Sequence, residues 1–248
     1  MEGRQSVLAA LTAFERRFAA ILIRNGIHEA KIADVLELAA RRGVPVRFAD
    51  GRELDALAHG GSHGGVLAVC SPKPRMTPEQ LLARIGRLTE PALLLLLEGV
   101  DDARNLGFAL RSAEALGAHA VLIKKHLWDF DAVEVARPAS GAYERMPLVQ
   151  VESVELLEAL RRRGLKLIAC VAGARRRMYD VDLAVGVILA IGGEKRGLSG
   201  AVRGICDVRM TIPTRGEPSS LALSHAAAIV LAEARRQRLA KDAPPPGL

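Results

Sequence analysis

The chain of 248 residues has only three cysteines, Cys70, Cys170 and Cys206, far apart and without a Cys-x-x-Cys pair. That spacing argues against a disulfide framework or a cysteine-based zinc site, and for a reducing compartment. Aromatic residues make up 3% of the sequence, which argues against a platform that stacks nucleobases. Purely apolar runs such as Ala92–Leu97 are far below bilayer length, and no signal-peptide pattern opens the chain. Gly192-x4-Gly197-Leu198-Ser199 lacks the lysine of a phosphate-binding P-loop, because Leu198 stands in its place. No Gly-x-Gly-x-x-Gly follows a strand near the N-terminus, so the common dinucleotide site is missing too. His59 and His63 lie four apart, but glycines surround them and no third ligand follows, so no metal is expected. The expectation is a soluble, cytoplasmic protein with no membrane span and no metal.

What is present is a folded protein. Half of the residues are hydrophobic, and the length suffices for one large or two modest domains. Lysine and arginine number 35 against 28 acids, a formal net charge of +7 that favours a polyanionic partner, most simply nucleic acid. Arginine heavily outnumbers lysine, so a general compositional bias explains the surplus about as well. Arg161–Arg163 and Arg175–Arg177 are basic triplets that either track phosphates or form solvated surface.

The first 70 residues read as a compact α/β module. Val7, Leu8, Leu11 and Phe14 have a helical period, and Phe18–Ile23 follows as a strand. Ile32–Arg42 is an amphipathic helix closed by Gly43; Val44–Phe48 and Gly65–Cys70 read as strands. Three prolines between Pro72 and Pro78 mark a boundary, giving a domain at 1–72, a linker at 73–89 and a second domain at 90–248. Beyond it, strands at Ala92–Leu97, Ala120–Ile123, Leu148–Val151, Lys166–Val171 and Val187–Ile191 alternate with helices at Asn105–Leu116 and Val154–Arg163. That alternation predicts a parallel sheet covered by helices.

Three short stretches carry the chemistry. Asp101-Asp102-Ala103-Arg104-Asn105-Leu106-Gly107 leads into Arg111; Gly192-Gly193-Glu194 precedes Gly197-Leu198-Ser199; Ile212-Pro213 is followed by Ser220-Leu221 and an alanine-rich helix. In this order and spacing they resemble the three motifs of the SpoU (TrmH) family of RNA ribose 2′-O-methyltransferases, in the SPOUT superfamily. The resemblance implies S-adenosylmethionine as cofactor and a C-terminal SPOUT domain whose parallel sheet carries a deep trefoil knot. It also implies a homodimer with its sites close to the subunit interface, and structured RNA as substrate, ribosomal first, with transfer RNA the alternative. Asn25-Gly26-Ile27-His28 and Gly61-Ser62-His63-Gly64-Gly65-Val66 match the small ribosomal-protein-like domain that captures substrate in many members.

Carried over position by position, Arg111 activates or orients the ribose hydroxyl, with Asn105, Glu194 and Ser220 completing the catalytic set. Gly192, Gly193, Ile212 and Leu221 correspond to the cofactor site, bound largely through main-chain groups. A guanidinium essentially never deprotonates, so Arg111 is read as stabilising a developing alkoxide or anchoring a phosphate. One position departs from the family: motif three usually reads Ser-Leu-Asn-Val-Ser, and here Ala222 replaces the asparagine. That loss motivates the rival reading, a non-catalytic RNA-binding relative.

Overall fold

A computed structural model describes residues 1–59, 63–124, 130–215 and 221–242. The chain divides into two compact units, Met1–Pro74 with Asp131–Arg145, and Arg75–Phe130 with Met146–Leu248.

In the first unit, β1 (Phe18–Arg24) lies between β2 (Val46–Ala49), to which it is parallel, and β3 (Val66–Cys70), to which it is antiparallel. Successive side chains on a strand point to opposite faces, and both faces are used. Ile21 and Ile23 pack with Val7 and Leu11 of α1 (Arg4–Ala13) and Val35 and Ala39 of α2 (Ala33–Arg41). Leu22 faces the other way, against Leu54 of α3 (Gly51–Leu57), whose N-terminus is capped by Asp50 accepting from the Glu53 amide at 2.8 Å. His63 is buried; its Nδ1 accepts from the Gly65 amide at 3.0 Å and its Nε2 meets Asp55 at 2.9 Å. It fixes the turn into β3.

The second unit holds a seven-stranded sheet in which every pairing is parallel. After α4 (Pro78–Ile85), β4 (Leu93–Glu98), α5 (Ala103–Ala115) and β5 (Ala120–Lys124), the chain enters α6 (Ala132–Ala139) and α7 (Ala142–Arg145), which belong to the first unit. It returns through β6 (Leu148–Val151), α8 (Glu155–Arg162), β7 (Lys166–Cys170), the two-residue β8 (Arg176–Arg177), β9 (Val187–Gly192), α9 (Gly200–Ile205), β10 (Val208–Thr211) and α10 (Leu223–Asp242). The spatial order is β6-β5-β4-β9-β7-β10-β8.

The leucine run of β4 is explained by burial on both sides. Leu94 and Leu96 face Leu81 of α4 and Leu157 of α8, and Leu93, Leu95 and Leu97 alternate with them and are equally buried. On the helix-bearing flanks α5 packs on β5 and α10, and α10 on β9. Thr77 and Gln80 form a reciprocal capping box at the start of α4. Arg238, near the C-terminus of α10, is buried and donates to the carbonyls of Ala92 at 3.1 Å and Val185 at 2.8 Å. Among the described residues no helix is long and apolar enough to cross a membrane.

Candidate active site

The parallel register aligns the carboxyl ends of the central strands. Glu98 at the end of β4 sits opposite Gly192 at the end of β9 and opposite Lys124 at the end of β5. In open parallel sheets the crevice beyond these ends is where ligands bind. The Gly193 amide donates to the Glu98 carbonyl at 2.6 Å, and the Gly197 amide donates to the Gly193 carbonyl at 2.8 Å. Gly197 itself holds φ +61°, a left-handed conformation that glycine adopts without strain.

Glu98 pins the far end of the same loop with its side chain. Its carboxylate accepts from the Ser199 amide at 2.8 Å and from Lys124 Nζ at 2.8 Å, while Lys124 also donates to Ser199 Oγ at 2.9 Å. Ser199 Oγ in turn accepts from the Val202 amide at 3.3 Å and caps α9. Burial pushes the Glu98 pKa up, but the Lys124 ammonium and the Ser199 donors outweigh it, and the net shift is downward. A carboxylate held below its unfolded value stabilises the fold above that value, about 4.3, and the contribution disappears as pH falls through the lowered one. Glu98→Gln should therefore lose about 1–3 kcal/mol at neutral pH. The gap from the wild type should close on acidification in urea unfolding run from pH 7 to 3; a gap that stays constant would remove the ion pair from the account.

Between this loop and the ends of β7 and β10 lies a cleft of about 570 Å³. Gly192, Gly193, Ile212 and Leu221 all border it, together with Cys170 and Thr211. Burial raises the Cys170 thiol to about 11, against the opposing effect of the Ile212 amide. It is a neutral packing group at pH 7, not a nucleophile. The volume falls within the range of small-ligand pockets, and the glycines expose main-chain groups to whatever enters.

A polar cluster stands at the rim, drawn from three separated stretches of chain. Asn105 Nδ2 donates to Glu194 Oε1 at 3.4 Å, the Leu223 amide donates to the same oxygen at 3.4 Å, and Ser224 Oγ donates to Asn105 Oδ1 at 2.9 Å. An ionised carboxylate only accepts, so Asn105 must turn its amide nitrogen to Glu194 and its oxygen to Ser224. Asn105 can take this place because Asp102 caps α5, accepting from the Arg104 amide at 2.7 Å, and so fixes where the helix begins. Asn105 and Glu194 also line a smaller recess of about 180 Å³ with Gly99–Asp102 and Leu223.

Arg111 lies further along α5, exposed, and borders neither the cleft nor the recess. Ser220, and Gly61 and Ser62 of the first domain's matching segment, lie outside the described residues. Ala222 offers only its backbone carbonyl, which accepts from Ala226 at 3.0 Å. Three groups that sequence reasoning did not mark for a role are Glu98, Lys124 and Ser224, while Ser199, there only the end of Gly197-Leu198-Ser199, gains its role from Glu98 and Lys124. Ser224 closes the five-residue stretch that begins at Ser220, a signal that was open to view; Lys124 has none. Among the described residues no group of three or more His, Cys, Asp or Glu side chains is arranged to hold a metal ion.

Comparison with known proteins is consistent along the whole chain. Residues 92–232 match the model of the SpoU rRNA Methylase family, and residues 1–76 match the domain described as RNA 2′-O ribose methyltransferase substrate binding. The chain is 36% identical over 240 residues, 96% of each protein, to the 23S rRNA (guanosine-2′-O-)-methyltransferase RlmB of Pseudomonas putida. It is 33% identical to the RlmB of Neisseria meningitidis over 97% of this chain and 96% of the relative. Among solved structures, the SpoU methyltransferase AviRb from Streptomyces viridochromogenes superposes with a TM-score of 0.80 at 28% identity, covering 97% of this chain and 90% of that one. The same enzyme in complex with the cofactor AdoMet gives 0.79 at 27% identity, over 96% and 89% of the two chains.

Proposed function

The chain belongs to the SpoU rRNA methylase family, and from that premise we propose that it transfers a methyl group from S-adenosylmethionine to a ribose 2′-oxygen of ribosomal RNA. The observation that carries this reading is the meeting of Asn105, Glu194 and Ser224, up to 119 residues apart in sequence, beside a glycine-walled cleft of nucleoside size. Bound adenosylmethionine would supply an electrophilic methyl group on a cationic sulfur. The cleft fits such a group because its wall at Gly192 and Gly193 is main chain, the two glycines letting the turn close against Gly99, Gly197 and Leu198 where a Cβ would collide.

The residues of the chain then have distinct tasks. Gly192, Gly193, Ile212 and Leu221 hold the cofactor. Glu194, locked by Asn105 and the Leu223 amide, fixes the edge at which the ribose arrives, so that alignment is prepared before the reaction. Ser220 completes the catalytic set. Arg111 is solvent-exposed and therefore available to an incoming nucleotide, where its charge stabilises the forming alkoxide or the adjacent phosphate.

The domain at 1–72 captures structured RNA, supported by the substrate-binding match over residues 1–76. The linker and the second domain follow at 73–89 and 90–248, the latter knotted as the resemblance implies. We place the protein in the cytoplasm as a homodimer. The apolar helix Leu221–Leu231, which the resemblance makes a contributor to the contact between subunits, buries Ala227, Val230 and Leu231 within the chain, and exposed Phe108 on α5 and Leu239 on α10 would add apolar surface to that contact.

Arg111→Ala is expected to keep the fold and the affinity for adenosylmethionine and to lower methyl transfer to unmodified 23S rRNA by about a hundredfold. Tritium incorporation and calorimetric titration read the two quantities separately. Undiminished transfer by the variant removes Arg111 from the mechanism. The rival reading, a non-catalytic relative, draws on the methyl group of Ala222, and failure of the wild type to bind the cofactor while folded would favour it. Incorporation into transfer RNA and not into 23S rRNA would reassign the substrate.

A further inference from the structure

A second cleft, of about 560 Å³, opens beside the cofactor cleft and shares its wall at Val171, Ala172 and Gly173. Its floor is made of small residues and its rim of arginines: Arg175, Arg176 and Arg209 line it and all are exposed. The positions are fixed by the sheet, because Arg176 in β8 pairs with Met210 in β10, and Arg209 is the neighbour of Met210. Arg209 Nη2 is further tied to the Arg203 carbonyl at 3.2 Å. Asp207, the one acid lining this cleft among the described residues, is already engaged: Arg161 Nε donates to it at 3.0 Å, as does the Leu167 amide at 2.8 Å. The third member of the triplet, Arg177, is turned to Asp180 at 2.8 Å and takes no part.

Three cations around a concave floor, with the acid that lines it neutralised, make a site for an anion. No aromatic side chain lines the cleft, so stacked bases are not what it holds. Arginine presents a planar fork of donors that matches phosphate oxygens, and the small residues of the floor let a bulky anion approach the backbone. We propose that Arg175, Arg176 and Arg209 bind consecutive phosphodiesters of the substrate RNA and lead the strand past the mouth of the cofactor cleft. This rests on the reading of the chain as an RNA methyltransferase and adds to it where the strand runs and which residues hold it.

The test uses the full-length protein and unmodified 23S rRNA transcribed in vitro. Arg175→Ala/Arg176→Ala leaves the tie between Arg209 and Arg203 in place, and a second variant adds Arg209→Ala. The expected result for the double variant is a KM for RNA raised about tenfold or more and a salt dependence of binding shallower by about 1.5 in log–log slope, as for two lost phosphate contacts. The loss should fall on KM rather than kcat, adenosylmethionine affinity should stay at the wild-type value, and Arg175→Lys/Arg176→Lys should restore most of the RNA affinity. Wild-type KM and salt slope in both alanine variants overturn the proposal while leaving the methyltransferase reading intact. A parallel loss of cofactor affinity also overturns it, since the arginines would then be supporting the neighbouring cleft. A wild-type chain that binds adenosylmethionine and neither binds nor methylates RNA sinks the functional reading itself, and this one with it.

Discussion

Gly193→Ala is expected to abolish cofactor binding, with at least a hundredfold loss of affinity for adenosylmethionine, or about 2.8 kcal/mol. A Cβ on Gly193 would lie 1.9 Å from the Gly99 carbonyl oxygen and 2.8 Å from its carbon. Neither atom belongs to a flexible side chain that could swing away. Gly99 is held at φ +71°, and the Gly193 amide is bonded to the Glu98 carbonyl at 2.6 Å, so relieving the clash means pulling apart the ends of β4 and β9. Overpacking of side chains costs about 1–3 kcal/mol; backbone against backbone has less room to give. Gly192→Ala should act in the same way, since its Cβ would meet the Gly197 carbon at 2.1 Å and the Leu198 nitrogen at 2.3 Å. Gly204→Ala is the control: nothing lies within 4 Å of that Cβ, the site is helical, and alanine there should be neutral or stabilising by up to about 1 kcal/mol. Titration calorimetry on the three variants tests the set, and wild-type affinity in Gly193→Ala would mean that the turn is not the wall of the cofactor site.

Why these glycines were legible, and other parts of the site were not, follows from the range of the interactions. Gly192-Gly193 breaks an apolar strand, a local event that any reader of the sequence can see. The five strands at Ala92–Leu97, Ala120–Ile123, Leu148–Val151, Lys166–Val171 and Val187–Ile191 were equally visible, because strands buried on both faces, as β4 and β9 are, read as apolar runs, and the others depart from that only at Gln150 and the exposed Lys166. Glu98 and Lys124 were not, since each simply ends a hydrophobic strand with a charge, as a solvated strand end would. Only the parallel register sets them face to face across neighbouring strands. The hydrogen bond from Ser224 to Asn105 likewise depends on the packing of α10 on α5. The basic triplets show the same limit: of Arg175–Arg177 two line a cleft and one closes on Asp180, a division that sequence adjacency cannot express. The helices α6 and α7 lie in the chain between β5 and β6, yet belong to the compact unit built by the first 74 residues. Their apolar pattern says that they are buried but not in which core.

What fixes α7 to that unit is a buried charge cluster, and Glu144→Ala should show it with a loss of about 3–5 kcal/mol. Arg16 and Glu144 form a two-pronged pair, with Nε to Oε2 at 2.7 Å and Nη2 to Oε1 at 2.9 Å, and their side chains are 8% and 2% exposed. Arg16 Nη1 also donates to the Ser71 carbonyl at 2.8 Å, and Lys73 Nζ donates to the Glu144 carbonyl at 2.7 Å. Burial pulls the Lys73 pKa below the ordinary lysine value despite Glu15 and Glu144, whereas burial of Arg16 is outweighed by Glu144, whose pull keeps the guanidinium charged. Removing the carboxylate therefore strands the buried Arg16 guanidinium, while Lys73 keeps its ion pair with the half-exposed Glu15 at 3.3 Å. The size of the penalty comes from that uncompensated charge rather than from the worth of the pair itself, which a second variant can separate. Replacing both partners, as in Arg16→Met/Glu144→Leu, removes the charge along with its partner and should recover most of the loss. Urea unfolding of the two variants decides the matter. If Glu144→Ala falls within about 1 kcal/mol of the wild type, as exposed pairs do, the cluster is ornamental to the fold and α7 is held by its apolar face alone.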